Sequence, residues 1–276
     1  MIAISISTTK DRLFNIKKDQ FPNHKNINYF ISIQGLNINI EKNKIEKFIE
    51  KNFPYFHILY TETTGLSNNR NNSLRTLYTL DNIEYIYIAD DDIHIKTEEI
   101  LHLARKMKQD DVSLGCGKIS SGINEFKNYL PKETYYNILT AARISSVEIL
   151  LNRKFMASHN IFFDITFGLG GTFDSGEEYV FCSDIIKAKG LIKYYPIVLC
   201  KHPPISSGKG FYLTPEKIAA KGAMFYRVFG YKSLFFSLVF SLKKYTIYKN
   251  KLNLIQFYLY MLSGIKSFKK HTKKTF

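Results

Sequence analysis

Strand-like and helix-like patterns alternate through the first ninety residues, and this alternation limits the fold more than any other feature of the chain. Residues 2–7 read as a strand that runs into the polar loop Thr8-Thr9-Lys10-Asp11-Arg12. Residues 29–34 form a second strand pattern, and 41–52 have helical spacing through Ile45, Phe48 and Ile49. A third strand pattern covers 56–60, a helix with Leu74, Leu77 and Tyr78 on one face covers 69–80, and a fourth strand covers 86–89. Strands interleaved with helices at this spacing predict an α/β fold, a mostly parallel sheet with helices on both faces. Ligands of such sheets bind beyond the carboxyl ends of the strands. Thr8, Gln34 and Asp90 all stand at such ends, so three polar segments are expected to share one crevice.

The fourth strand ends in Asp90-Asp91-Asp92. Carboxylates crowded at the end of an apolar strand repel one another unless a cation or hydrogen-bond donors hold them. Oxygen ligands in that position suit a hard divalent ion, typically one that also carries phosphate. Asp is also a preferred turn residue. Three in a row, entered from an apolar strand and left through Ile93, favour the ligand reading over a plain turn.

The composition, 45% hydrophobic and 15% aromatic over 276 residues, supplies enough apolar material for one large core or two small ones. Cys116, Cys182 and Cys200 are odd in number and widely spaced, which argues against a disulfide framework or a zinc site and fits a reducing cytosolic interior. The N-terminus lacks the basic start and long apolar run of a signal peptide. No eighteen-residue apolar run predicts a spanning helix. The net charge of +15 is concentrated at one end: no acidic residue follows Glu216, whereas lysine and arginine recur from Lys217 to Lys274. Such asymmetry calls for an anionic partner, a membrane surface or a nucleic acid.

The middle of the chain is less regular. A helix is expected over 97–108, with Glu98 and Glu99 in its first turn and Arg105, Lys106 and Lys108 near its end, as the helix dipole prefers. A strand is expected over 113–119, and 155–161 leads into another. Gly168-Leu169-Gly170-Gly171 reads as a flexible loop, Gly176-Glu177-Glu178 precedes a helix over 179–189, and 192–199 is a strand before the rigid turn at His202 and its two prolines. The stretch Ser206-Ser207-Gly208-Lys209-Gly210 lacks the spacing of a phosphate-binding P-loop.

Taken in order, the Thr8–Arg12 loop, the stretch Gly65-Leu66-Ser67-Asn68-Asn69-Arg70-Asn71, the Asp90-Asp91-Asp92 run, Gly176-Glu177-Glu178 and His202 resemble a GT-A glycosyltransferase of the inverting family 2, the type that builds bacterial surface polysaccharides. The resemblance spans residues 1–230, which it implies are the transferase domain, leaving 231–276 as basic, aromatic-rich amphipathic helices. It implies a nucleotide-diphosphate sugar as donor and a divalent Mn²⁺ or Mg²⁺ as cofactor. Asp92 would hold the metal, with Asp90 on the metal or the donor ribose, Asp91 auxiliary, and His202 completing the shell. Thr8, Thr9 and Arg12 would hold the nucleotide, and Arg70 would contact the donor. Gln34 stands where relatives carry an acidic residue against the base, which leaves the nucleotide open. Glu178 is the implied general base, with Glu177 as its fallback, where relatives carry Glu-Asp. For Asn68, Asn69, Asn71 and Asn72, helix-cap and turn chemistry explains some of the residues without a ligand. The loop at 206–210 resembles one that closes over the donor diphosphate.

The implied acceptor is a hydroxyl of a surface glycan or lipid-linked glycan, of capsule, O-antigen or lipooligosaccharide type. The basic, aromatic tail is expected to lie on an anionic membrane, placing the protein in the cytoplasm at the inner face of the membrane, and no nucleic acid is expected. Two alternatives stay open: a nucleotidyltransferase on the same sheet type, and a non-enzymatic protein binding membranes or anionic polymers.

Overall fold

At the centre of the sheet's parallel half lies β1 (Ile2–Thr9), flanked by β2 (Ile27–Gln34) and by β4 (Tyr85–Asp90), with β3 (Phe56–Thr61) outside β2. This computed structural model describes residues 1–35, 38–122, 125, 127–202 and 210–274, the side chains of 38–40 and 273–274 excepted. Ser7 pairs with Asp90 and Thr9 with Gln34, so the polar ends of three strands do meet at one edge. The helices α1 (Ile38–Asn52) and α2 (Leu66–Tyr78) cross from β2 to β3 and from β3 to β4, while two 3-10 turns lie between β1 and β2.

Beyond β4 the sheet changes character. β8 (Ile149–Asn152) pairs antiparallel with both β4 and β6 (Leu114–Ser120), and β6 runs parallel to β9 (Ile192–Lys201). Two short strands, β5 (His94–Ile95) and β7 (Thr134–Tyr136), pair antiparallel with β9 and complete nine strands among the described residues. The expectation of a mostly parallel sheet therefore holds for the first ninety residues, and the second half inserts reversed strands. Residues 155–161 do not form the expected strand. Asn152 accepts a hydrogen bond from the Phe155 amide and caps a short helix, α4 (Arg153–Ser158), because an Asn at that position satisfies an orphan helical donor. The helices α3 (Thr97–Asp110) and α5 (Glu177–Lys187) fall where helical spacing puts them, and α5 begins two residues earlier than expected. Cys116, Cys182 and Cys200 are free and buried.

Alternation along each strand builds a core on each face of the sheet. Tyr85, Tyr87 and Ala89 pack with Ile45 of α1 and Leu103 of α3. Ile86 and Ile88 pack on the other face with Leu74 of α2 and Val180 of α5. Three C-terminal helices follow: α6 (Pro215–Phe229), α7 (Ser233–Tyr248) and α8 (Leu254–Lys274). α8 belongs to the body of the fold, since its Phe268 lies 5.6 Å from the Phe167 ring and joins the second core. α6 and α8 cross at glycines. A Cβ on Gly222 would stand 1.9 Å from the Met261 carbonyl oxygen, and one on Gly264 would stand 1.8 Å from that of Ala219. Only residues without a side chain let the two backbones approach so closely.

Candidate functional site

At the carboxyl ends of β1, β2 and β4 opens a cleft of about 710 Å³, closed on its far side by α5, α6 and the glycine loop. Every candidate residue read from the sequence lines it: Thr8, Thr9, Arg12, Gln34, Arg70, the three aspartates, Glu177, Glu178 and His202. Residues 203–209, with most of the expected diphosphate loop, lie outside the described residues.

On the β4 side, Asp91 is buried and organises the first loop. It accepts a hydrogen bond from the Thr8 hydroxyl at 2.6 Å and takes one from the Arg12 guanidinium. Arg12 also reaches Asp92 Oδ2 at 3.0 Å. Burial pushes the Asp91 carboxyl up, partly offset by Thr8 and Arg12. Asp92 differs, because its Oδ1 is buried without a hydrogen-bond partner and lies 3.7 Å from His202 Nε2. An unsatisfied carboxylate oxygen beside an imidazole is the kind of donor pair a divalent ion takes. Among the described residues no three His, Cys, Asp or Glu side chains converge as a metal group. The pair offers two donors, and Asp92 with His202 would hold such an ion.

Arg70 joins the two sides. Its side chain is 1% exposed, bonded to Asp90 Oδ1 at 3.0 Å and within 3.5 Å of Glu177 and 3.9 Å of Glu178. Burial opposes its charge, and Asp90, Glu178 and Glu177 more than restore it. Its Nε and Nη1 lack hydrogen-bond partners. Phe163 lies beneath the guanidinium, 5.3 Å from ring centre to Cζ.

Glu177 and Glu178 occupy the first turn of α5 but not the same environment. Glu177 is buried, and burial first, then the charge of Glu178, push its carboxyl up to about 8 against the pull of Arg70. The Glu178 side chain is more open, at 21% exposure. The glycine loop before them is fixed in place. Gly170 has φ +81°, and a Cβ there would stand 2.9 Å from Gly65 Cα, while the Leu66 amide donates to the Leu169 carbonyl at 2.8 Å. Glycine serves here to let the loop dock on the start of α2.

The asparagines are cross-links more than caps. The N-cap of α2 is Gly65, which carries no capping side chain. Asn69 donates to the Thr8 carbonyl at 2.9 Å, Asn71 exchanges two bonds with the Phe163 backbone at 2.8 and 2.9 Å, and Asn72 reaches Ser32 at 2.9 Å. Only Asn68, which bonds the Thr64 carbonyl at 2.8 Å, keeps to local turn chemistry. Through these bonds one helix positions the first loop and the wall bearing Phe163. Gln34 ends β2 in the cleft, and its side-chain oxygen is buried with no partner.

Lys221 of α6 escaped the sequence reading. It lines the cleft, and burial draws its ammonium below the usual lysine range against the attraction of Glu178, Glu177 and Asp174. Thr214 and Pro215 signal the start of a helix, but the face that turns toward α5 depends on packing. Glu148 was missed too. This buried carboxylate takes Lys127 at 2.7 Å and the Ser145 amide at 2.9 Å, and so stiffens the Ser145–Val147 wall.

Solved structures share this fold. The chain is similar to Staphylococcus aureus TarS, with a TM-score of 0.59 at 12% identity over 95% of this chain, and it spans 55% of that longer chain. TarS 1–349 in complex with UDP-GlcNAc gives a TM-score of 0.61 at 11% identity, covering 97% of this chain and 80% of the other. TarS 1–349 in complex with UDP gives 0.57 at 12% identity, covering 92% and 76%. No protein-family model matches the sequence, and no curated protein sequence matches it.

Proposed function

We propose that the chain is a metal-assisted, inverting glycosyltransferase that moves a sugar from a nucleoside-diphosphate donor to a hydroxyl of a bacterial surface glycan. The observation that carries this reading is the pair of carboxylate clusters facing one cleft and joined by the buried Arg70. The neighbours bound to UDP and UDP-GlcNAc support a uridine donor as the first candidate. The unpartnered Gln34 oxygen is an acceptor suited to the N–H of a nucleobase.

In this reading Thr8, Thr9 and Gln34 hold the nucleoside, and Arg12 swings from the aspartates to meet phosphate oxygens. A divalent ion held by Asp92 and His202, with Asp90 beside it, would neutralise the diphosphate and make it a better leaving group. Glu178 removes the acceptor proton as that oxygen bonds to the anomeric carbon and the nucleoside diphosphate departs from the opposite face. Glu177, which holds its proton near neutral pH, is poorly suited to that role, so the base falls to its more exposed neighbour.

A thermal-shift panel of UDP-, GDP- and dTDP-sugars with and without Mn²⁺ tests the reading, because ligands of the folded state raise its apparent stability. One nucleotide class should stabilise the wild type in a chelator-sensitive way, and Asp92→Ala should lose that response. No shift with any member, or full transfer by Asp92→Ala in chelator, would defeat it.

A further inference from the structure

α7 packs Phe236, Phe240 and Tyr248 inward but leaves most of its other large apolar side chains outside. Ser233, Ser237 and Ser241, each four residues from the next, are fully buried, whereas Leu234, Phe235, Leu238, Val239, Leu242 and Tyr245 are exposed. At 100° per residue these six side chains span about 140° of the helix, an arc that excludes the serines, while Ile247, also exposed, stands outside it. A helix whose outer face meets water carries the reverse arrangement. The serines are not inside for their polarity. The hydroxyls of Ser233 and Ser237 have no hydrogen-bond partner, and that of Ser241 bonds the Ser237 carbonyl at 2.7 Å within its own helix. Their use is small size, which allows close approach to α8, with Ser241 Oγ 3.6 Å from Met261 Sδ.

α8 shows the ordinary pattern by contrast, burying Phe257, Met261, Ile265 and Phe268. It extends the outer surface at one place. Its Tyr258 hydroxyl donates to the Leu234 carbonyl at 3.4 Å, and the neighbouring Ile255 and Leu259 are 70% and 54% exposed. A contiguous apolar surface of this kind marks an interaction site.

We propose that the outer face of α7 seats the protein on an anionic lipid bilayer, lying along its surface. Lys232, Lys243, Lys249 and Lys251 are exposed in and beside α7, and no acidic residue follows Glu216. A second copy seated face to face would bring these lysines together with no carboxylate of the same segment to answer them. A layer of acidic headgroups answers the lysines while the acyl boundary takes the Leu and Phe side chains. With 16 residues the helix is about 24 Å long, short of the roughly 30 Å hydrocarbon core. No helix among the described residues is long and apolar enough to cross a membrane. The inference goes beyond the transferase reading and stands without it.

Flotation of the full chain with vesicles of phosphatidylcholine alone, or of phosphatidylcholine with phosphatidylglycerol, tests the proposal. The chain should float with the anionic vesicles at least about tenfold more tightly than with the neutral ones, and salt should weaken it. Phe235→Ser with Leu242→Ser should abolish flotation without lowering the melting temperature or the response to nucleotide, since both side chains are exposed and lie outside the cleft. Lys232→Gln with Lys243→Gln should weaken binding about fivefold per lysine. Failure to float, equal binding to neutral vesicles, or undiminished binding by the serine variant overturns the proposal. So does a lipid-free dimer that the serine variant converts to monomer by light scattering, which assigns the face to a second copy.

Discussion

The two acidic clusters of the cleft are neutralised in opposite ways. At the end of β4, Asp91 and Asp92 share Arg12, whose side chain is 55% exposed. At the start of α5, Glu177 and Glu178 share Arg70, which is 1% exposed and is also claimed by Asp90. The pair Arg12 makes with the partly exposed Asp92 is worth at most about 1 kcal/mol and exchanges readily for another partner. A buried arginine cannot leave, because three carboxylates would be stranded without their counter-charge. The β4 side is thus built to trade its cation for a ligand, and the α5 side to hold a fixed field. Burial, and after it the charge of Glu178, outweigh the pull of Arg70, so Glu177 keeps its proton.

The comparison can be broken most sharply at the base. Glu178→Gln should lower the turnover rate about a thousandfold while leaving the nucleotide-induced thermal shift in place, because general-base catalysis contributes on the order of 10²–10⁴. If single-turnover transfer persists above a tenth of wild type, Glu178 is not the base. Next in size is the contrast between the arginines. Arg70→Met should cost about 3–5 kcal/mol in urea unfolding, by stranding buried charge, whereas Arg12→Met should cost about 1–2 kcal/mol, because Arg12 is half-exposed and the Thr8 hydroxyl still bonds the buried Asp91. Equal costs would erase the distinction drawn between the clusters.

A further test is a pH slope. The folded-state value of Glu177, about 8, lies above the ordinary glutamate value of 4.5. Between those values the unfolded chain has released this proton and the folded chain retains it, so stability contributed by the protonated group falls as pH rises from about 4.5 through 8. Glu177→Gln removes the ionisable group. It should gain on wild type by on the order of 3 kcal/mol between pH 5 and pH 8 in urea titrations. A difference that stays constant across that range would show that Glu177 ionises normally in the fold.

The acidic landmarks were legible because they are local. Asp90 to Asp92 close an apolar strand, and Glu177 and Glu178 sit in a helix's first turn, patterns set by neighbours in the chain. The asparagines of α2 were harder, since cap chemistry explains such residues well and only the fold reveals that Asn71 bonds Phe163, 92 residues away. Residues 155–161 differ for another reason, since the residue that caps their helix, Asn152, stands outside that segment. The composition of the tail pointed to its basic, apolar surface. It gave no means of separating α8, whose Phe268 enters the core, from α7, whose serines do.

Periodicity and charge order along the chain determined the interleaved strands and helices, the strand ends that meet in one cleft, and the residue types offered there. Each depends on the backbone's own repeat, which adjacent residues set. The tertiary structure alone decided that Arg70 is buried among three carboxylates, that Glu177 keeps its proton, that Lys221 reaches the cleft, and that α7 shows its apolar side outward. Those outcomes depend on which surfaces lose water, and desolvation is imposed by segments far apart in sequence.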